Sequence, residues 1–254
     1  MYSIKIYFMK IVVFDSGMGS LSIIKSIQKV TKAEIIYFAD QKNYPYGKKS
    51  KSELKKIIQT TIRKIKQKFE PDMIIIASNT PSILFSEFLN GDIIGVLPPV
   101  KLASKISKTK NIAILATSAT IKSKELNLFI KKESIGVNVK RIDASELIDL
   151  VESGKFLTNK KFCRKIIRSI GKHFEGIDVI TLSSTHLPFL LPLLKTEFRS
   201  IKFLDPAESI AKKISLRMKK SKRNRLRIYT SKEPKILQRN LQRIGIKNRV
   251  NFLA

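Results

Sequence analysis

Cysteine is almost absent from this sequence, since Cys163 is the one cysteine among 254 residues. A single thiol excludes an internal disulfide and any zinc site built from cysteines. Only two histidines are present, His173 and His186, which leaves little for a histidine-based metal site. No stretch approaches the roughly 20 apolar residues that a membrane span needs, and Asp15 interrupts the start before a secretory core could form. We therefore expect a cytoplasmic protein with no membrane partner.

Acidic residues are also scarce, because 20 of them stand against 50 lysines and arginines, for a formal net charge of +30. The positive electrostatic field of such a charge attracts nucleic acid or anionic lipid. The basic residues are not confined to one tail, and apolar positions continue through the very basic stretch 212–249. The charge is therefore interpreted mainly as solvated faces of a folded protein. Nucleic-acid binding through the basic surface remains a less favoured alternative.

Short β-rich runs alternate with longer amphipathic stretches, a pattern typical of parallel strands joined by crossover helices. The predicted strands are Ile11–Phe14, Ile35–Ala39, Met73–Ala77, Ile93–Leu97, Ile112–Ala116, Val137–Ile142, Val179–Leu182, Lys202–Leu204 and Leu226–Tyr229. The predicted helices include Leu21–Val30, Ser52–Phe69, Lys122–Lys132, Lys160–His173 and Ser209–Met218. The fold class predicted is α/β, doubly wound. Residues 1–8 read as an extension that precedes the first strand.

An internal repeat divides the chain into two similar halves. An apolar run ending in Ser78-Asn79-Thr80 recurs as one ending in Ser184-Thr185-His186, and each is followed by proline and another apolar stretch. Ligands of open α/β sheets bind at the carboxyl ends of the strands. We therefore predict two doubly wound parallel-sheet domains, related by a pseudo-twofold and facing one cleft. Residues 1–97 plus 208–254 would form the first domain and residues 98–207 the second.

Five loops place small or polar residues directly after a predicted strand. Taken singly, each is typical of a helix cap or a turn. Taken together they predict a cleft rich in hydroxyls and amides, with one carboxylate and one imidazole, suited to a small polar anion. The sequence contains no phosphate loop, dinucleotide glycine fingerprint or metal-ligand cluster, so no cofactor is expected. The loops are Phe14–Ser20, Phe38–Asp40 with Tyr44–Gly47, Ser78–Thr80, Ser184–His186 and Ala116–Thr120 followed by Ser123.

These loops, in this order and at this spacing, resemble the glutamate racemase (aspartate/glutamate racemase) family, and the likeness extends from about Ile11 to about Ile244. The motifs that carry it are Phe14-Asp15-Ser16-Gly17-x-Gly19, Pro45-Tyr46-Gly47, Ser78-Asn79-Thr80, Ala116-Thr117 with Thr120 and Ser123, Leu150-Val151-Glu152-Ser153-Gly154, and Ser184-Thr185-His186-x-Pro188. The resemblance implies a cofactor-free enzyme that inverts the α-carbon of glutamate or a related acidic amino acid, one catalytic group acting as base and another as acid. A homodimer stays open.

The resemblance also implies roles for individual residues. The two catalytic thiols of the family fall on Ser78 and Ser184, and the residues that assist proton transfer fall on Asp15, His186 and Glu152. The residues expected to hold or surround the substrate are Ser16, Pro45, Tyr46, Gly47, Asn79, Thr80, Thr117, Thr120 and Thr185.

Both thiols are therefore serine in this chain. A thiol titrates near about 8.5, low enough for a neighbour to activate it, whereas a hydroxyl is a much weaker acid. Two interpretations follow. Either hydroxyls, or Asp15 and His186 themselves, move the proton, or the pocket binds an acidic amino acid without racemising it.

Overall fold

Two parallel sheets with helices packed against them make up the protein. The structure is a computed structural model that describes residues 9–217 and 224–253. Its strands are β1 (Lys10–Asp15), β2 (Glu34–Ala39), β3 (Met73–Ile76), β4 (Ile93–Gly95), β5 (Asn111–Ala116), β6 (Asn138–Asp143), β7 (Val179–Leu182), β8 (Lys202–Leu204), β9 (Arg225–Thr230) and β10 (Val250–Phe252). Its helices are α1 (Ser20–Val30), α2 (Lys51–Phe69), α3 (Asn79–Leu84), α4 (Val100–Ile106), α5 (Ser118–Ile121), α6 (Lys124–Glu133), α7 (Ser145–Glu152), α8 (Lys155–Thr158), α9 (Lys160–Gly171), α10 (Leu191–Glu197), α11 (Ala207–Ser215) and α12 (Pro234–Arg243).

The strands pair in parallel throughout the described sheets. The first sheet has the order β10-β9-β2-β1-β3-β4 and the second the order β6-β5-β7-β8. The central strands are runs of β-branched and aromatic residues buried on both faces, as expected where helices cover both sides of a sheet. The α/β prediction of two parallel-sheet domains is confirmed.

The internal repeat corresponds to a repeated topology. The four strands β2-β1-β3-β4 of the first sheet have the same order as β6-β5-β7-β8 of the second. The loop after β3, which carries Ser78, is therefore the topological equivalent of the loop after β7, which carries Ser184. In the same way, Asp15 at the end of β1 corresponds to Ala116 at the end of β5.

Apolar clusters on both faces of each sheet hold the helices in place. Val100 and Ala103 of α4 pack with strands of the second sheet, whereas Ile210 and Ile214 of α11 pack with the first. The domain limits of 97/98 and 207/208 stay a prediction. Residues 1–8, 218–223 and 254 of the predicted first domain lie outside the described residues, as does Met218 of the last predicted helix.

All nine predicted strands are present; β7 and β8 have the predicted bounds, and the ends of the others differ by at most two residues. The predicted helix Lys122–Lys132 is α6, which begins two residues later, at Lys124, and follows the separate short helix α5. The Ser123 hydroxyl sets this start, because it donates to Thr120 O at 2.8 Å and accepts from Leu126 N at 3.1 Å. Such a side-chain cap begins a new helix rather than continuing the old one. Strand β10, the three residues Val250–Phe252, was not predicted. In the described parts of the chain no helix is long and apolar enough to cross a membrane.

Candidate active site

The loops at the carboxyl ends of the two sheets meet around a small cavity of about 40 Å³. Most of its lining comes from polar loop residues that directly follow a strand. The lining residues are Asp15, Ser16, Tyr44, Pro45, Tyr46, Gly47, Ser78, Asn79, Thr80, Thr117, Ile148, Ser183, Ser184, Thr185 and His186.

Asp15 is a buried carboxylate at one wall of this cavity. Its Oδ1 accepts a hydrogen bond from Ser16 N at 2.6 Å, and its Oδ2 accepts one from Thr185 Oγ1 at 3.2 Å, which links the β1 loop to the β7 loop. Burial raises the pKa of Asp15 to about 6, although the nearby His186 and the two hydrogen bonds lower it. A carboxyl group with this pKa is mostly ionised at neutral pH but takes up a proton far more readily than an ordinary carboxyl, which suits it to exchange a proton.

His186 forms a second polar group, in a pair with Glu152. His186 Nε2 lies 2.9 Å from Glu152 Oε2, which also accepts a hydrogen bond from Met18 N at 3.2 Å. Burial lowers the pKa of His186, but the hydrogen bond and charge of Glu152, with the charges of Asp15 and Asp149, outweigh it and raise the pKa above its ordinary value. This pair therefore joins α7 of the second sheet to the β1 loop of the first, and it favours the imidazolium form.

Asn79 has a buried side-chain amide that is left without a partner. The residue is 3% exposed and lines the cavity, yet neither Nδ2 nor Oδ1 forms a hydrogen bond to any residue that the structure describes. An unpaired buried amide costs about 1–3 kcal/mol. Because the amide borders a polar cavity, its donor and acceptor are available to a ligand.

Ser78 and Ser184 both line the cavity, one half-buried and the other 6% exposed. The Ser184 hydroxyl accepts a weak hydrogen bond from His186 N at 3.4 Å. Within residues 9–217 and 224–253, no carboxylate or imidazole forms a hydrogen bond to either hydroxyl. Neither serine therefore has the adjacent base that activates a hydroxyl in nucleophile–base pairs.

Three threonine hydroxyls connect the two sheets beside the cavity. The Thr80 hydroxyl on α3 lies 3.0 Å from the hydroxyls of Thr117 and Thr120. Thr117 caps α5 and Thr120 lies within it, and their two hydroxyls are also 3.0 Å apart. Thr80 and Thr117 line the cavity, whereas Thr120 is fully buried behind them. Thr120 is therefore not part of the lining and contacts it through Thr80 and Thr117.

The turn after β2 forms another wall. The Tyr46 phenol donates to Asp40 Oδ2 at 2.9 Å, and Gly47 packs against Thr117, so a Cβ at Gly47 would lie 3.2 Å from Thr117 Cβ. The peptide bond between Tyr44 and Pro45 is cis.

Twelve of the fourteen residues predicted for the site line the cavity. The two that do not, Thr120 and Glu152, contact residues that do. Sequence reasoning did not select Tyr44, Ile148 and Ser183, which also line it. Tyr44 belongs to one of the five polar loops but was not chosen as a site residue, and Ser183 directly precedes the loop Ser184–His186. Ile148 reads as an ordinary core position of the amphipathic helix α7, and nothing in its pattern points to the cavity.

The fold and the cavity together define a two-domain α/β protein with a small polar cavity between equivalent loops of two parallel sheets. The family model of Asp/Glu/Hydantoin racemase matches residues 11–214, and the chain belongs to this family. Among relatives, glutamate racemase of Actinobacillus pleuropneumoniae serotype 3 (strain JL03) is 31% identical over 219 residues, which cover 83% of this chain and 82% of the relative.

Solved structures of the same fold are similar over nearly the whole chain. Escherichia coli glutamate racemase, in complex with L-glutamate and the activator UDP-MurNAc-ala, has a TM-score of 0.84 at 21% identity, covering 98% of this chain and 99% of that one. Glutamate racemase from Campylobacter jejuni subsp. jejuni has a TM-score of 0.75 at 29% identity, covering 94% of this chain and 98% of that one.

Proposed function

We propose that this protein binds glutamate or a closely related acidic amino acid in the cavity and inverts its α-carbon by cofactor-independent proton transfer, at a rate much reduced by the serines at positions 78 and 184. The observation that carries the proposal is the buried, unpartnered amide of Asn79. Its cost is offset when a polar ligand supplies an acceptor and a donor. The L-glutamate bound by the Escherichia coli relative is a ligand of this chemistry.

The polar groups around the cavity match the three charged groups of an acidic amino acid. The Asn79 amide and the hydroxyls of Ser16, Thr80 and Thr117 can donate to carboxylates, and the Asp15 carboxylate can accept from an ammonium. No cofactor is needed for such binding, since each group of the ligand finds a side chain of opposite polarity.

Proton transfer at the α-carbon requires a base and an acid. Asp15, with a pKa of about 6, is mostly ionised at neutral pH and can act as a base, and the raised pKa of His186 keeps an imidazolium available. We assign them the roles of base and acid, directly or through the hydroxyls of Ser78 and Ser184. Glu152 holds the His186 ring in place and stabilises its charge.

The serines set the rate. Each pKa unit that separates a hydroxyl from a thiol adds about 1.4 kcal/mol to the cost of forming the base. The double replacement therefore lowers turnover steeply while leaving the polar walls of the cavity intact.

A second candidate is binding without turnover, as in an amino-acid sensor. It is favoured because, among the described residues, no carboxylate or imidazole forms a hydrogen bond to the Ser78 or Ser184 hydroxyl, and a hydroxyl needs such a base to be activated. Both candidates require glutamate binding, and they differ only in exchange at the α-carbon.

Two measurements separate the candidates. Isothermal titration calorimetry with L- and D-glutamate and L-aspartate measures binding, and loss of the α-proton NMR signal in deuterated water measures proton transfer. We expect binding together with slow exchange. Binding with no exchange over many hours at high protein concentration would establish the second candidate, and absence of binding would refute both.

Restoring the thiols provides the sharper test. We expect the Ser78→Cys/Ser184→Cys variant to exchange the α-proton at least about 10²-fold faster, in the range that general acid–base catalysis contributes. Ser183→Cys is the matched control, because Ser183 lines the same cavity but its hydroxyl lies 3.0 Å from that of Thr181. A folded double variant no faster than this control would contradict the proposed roles of positions 78 and 184.

A further inference from the structure

Tyr37 carries a polar group into the apolar core of the first sheet. It is fully buried on β2, between the apolar residues Ile36 and Phe38, and it does not line the cavity. Burial raises the pKa of Tyr37 well above its ordinary value, so the hydroxyl stays protonated and remains a hydrogen-bond donor. A buried tyrosine hydroxyl needs a partner, and the partner of this one connects it to the candidate active site.

That partner is a backbone carbonyl of the β1 loop. Tyr37 Oη donates to Gly17 O at 2.6 Å. Met18 N belongs to the same peptide group and donates to Glu152 Oε2 at 3.2 Å. A trans peptide is planar and carries its oxygen and its hydrogen on opposite sides. The hydroxyl that fixes the carbonyl on one side therefore also fixes the direction of the N–H on the other.

Glu152 depends on this N–H group. It is the last residue of α7, where the helix dipole disfavours a negative charge. Its Oε2 accepts from Met18 N and also lies 2.9 Å from His186 Nε2, so the amide holds the oxygen that the imidazole faces. Gly17 lies directly against this pair, since a Cβ there would lie 2.6 Å from Glu152 Oε2 and 3.0 Å from His186 Nε2. The orientation of one peptide group therefore bears on the geometry of the pair.

From this chain of contacts we infer that Tyr37 is a positioning residue of the proton-transfer site, which acts on His186 through the Gly17–Met18 peptide and Glu152. Its hydroxyl holds the peptide so that the N–H places Glu152 Oε2 beside the imidazole. A carbonyl that accepts a hydrogen bond also makes the N–H of its own peptide a stronger donor. The role in the reaction rests on the proposed assignment of His186 as the acid, whereas the contacts do not.

The pKa of His186 is the property that this positioning controls. Burial lowers it, while the hydrogen bond and charge of Glu152, followed by the charges of Asp15 and Asp149, raise it. The main contribution that raises it thus requires Glu152 to stay in place. Tyr37→Phe retains all of these charges and the packing of the ring but releases the peptide. We therefore expect the His186 pKa to fall by at least about half a unit in this variant.

NMR titration of the imidazole signals measures this pKa without ligand or turnover, so the result does not depend on whether the protein racemises glutamate. The chain has two histidines, and the exposed His173 is the internal reference. Tyr46→Phe is the matched control, because it removes another buried phenol hydroxyl, bonded to Asp40 at 2.9 Å, and should leave the His186 pKa unchanged. An unchanged or raised His186 pKa in Tyr37→Phe, or an equal fall in the control, would overturn the role.

A double-mutant cycle tests the route through Glu152. In a Glu152→Gln background, Tyr37→Phe should no longer shift the His186 pKa, because the carboxylate that the peptide positions is gone. A shift as large as in the unmodified background would overturn this route. The unmodified protein gives a reading that needs no variant, since the amide nitrogen of Met18 should titrate with the same midpoint as the imidazole. A Met18 signal that does not respond would show that the peptide is not coupled to the pair.

Kinetics connect the role to the proposed reaction. The acid is active only while the imidazole is protonated, so exchange of the glutamate α-proton should decline above the His186 pKa. Tyr37→Phe should move this decline to lower pH by the same amount as the pKa, with glutamate affinity changed less than about twofold, because Tyr37 does not line the cavity. A decline that stays in place while the pKa falls would exclude Tyr37 from the reaction. Absence of exchange in the unmodified protein would instead refute racemisation, and the NMR titration would still decide the role of Tyr37.

Discussion

At the residue scale, the cavity is maintained at the expense of stability. Asn79 is buried beside Ser78 with an amide that no described residue satisfies, and Asp15 is buried as a carboxylate. Folding alone favours neither arrangement, because desolvated polar groups without full compensation are unfavourable. Both arrangements make sense where a ligand completes the hydrogen bonds.

Asn79→Leu separates stability from binding. Leucine is close to asparagine in shape and removes the unpaired amide, so the free energy of unfolding of the ligand-free protein should rise by about 1 kcal/mol. Glutamate affinity, measured by calorimetry, should fall at least about tenfold. The matched change Asn43→Leu removes an amide that donates to Asp40 at 2.8 and 3.0 Å, and it should destabilise the protein. A destabilised Asn79→Leu protein would show that the amide is satisfied.

The raised pKa of Asp15 makes the free energy of unfolding depend on pH. Because burial raises its pKa from 3.8 to about 6, the folded state holds the Asp15 proton more tightly than the unfolded chain does. The free energy of unfolding therefore falls as pH rises from about 4 to about 6, by about 3 kcal/mol at about 1.4 kcal/mol per pKa unit, and does not recover above that window. The Asp15→Asn variant has no ionisable group at this position, so its free energy of unfolding should not show this fall.

Urea denaturation of both proteins between pH 4 and pH 7.5 measures the effect. The stability of the Asp15→Asn variant relative to the unmodified protein should rise across pH 4–6 and then level off. A difference that is constant with pH would mean that the Asp15 pKa is not raised by burial.

At the scale of elements, the site depends on close contact between the β1 loop and the β7 loop. A Cβ at Gly19 would overlap Thr185 Oγ1 and lie 2.8 Å from Asp15 Oδ2, and one at Gly17 would lie 2.6 Å from Glu152 Oε2. The glycines of the β1 loop are therefore required by the approach of the second sheet's loops.

Gly19→Ala tests this contact. Because Thr185 has to move, we expect the free energy of unfolding to fall by about 1–3 kcal/mol and glutamate binding to be lost, with the circular dichroism spectrum unchanged. Gly91→Ala is the control, since nothing lies within 4 Å of the added Cβ, and it should leave binding intact. Normal glutamate affinity in the Gly19→Ala variant would show that the two loops separate without consequence.

The elements differ in how far the sequence could predict them. Strands such as β1 and β3 are continuous apolar runs, and the polar residues after them are visible by position alone, so both the sheets and most of the cavity lining were predictable. Strand β10 was missed because Val250–Phe252 lies outside the internal repeat, whereas the equally short β4 and β8 fall within it. Ile148 was missed because its contact with the cavity depends on how the second sheet docks against the first, which no local pattern encodes.

At the scale of the whole molecule, the dominant feature is the net charge of +30. Ion pairs are few in the described residues, and most of them are at the surface, as in Lys49–Glu53 and Lys55–Glu87. Exposed pairs of this kind contribute at most about 1 kcal/mol each. Repulsion among the remaining cations therefore opposes the compact state.

Salt should accordingly stabilise this protein. The Debye length falls from about 30 Å at 0.01 M to about 8 Å at 0.15 M ionic strength, which screens repulsion between distant surface cations far more than contacts inside the cavity. We expect Tm, measured by calorimetry at constant pH, to rise by several degrees between these two conditions, since about 1 kcal/mol corresponds to roughly 2–4 °C in a protein of this size. Sucrose at equal osmolality is the control, because it stabilises proteins by exclusion from their surface without screening charge. If sodium chloride raises Tm no more than sucrose does, the positive charges are too far apart, or too well paired, to oppose folding.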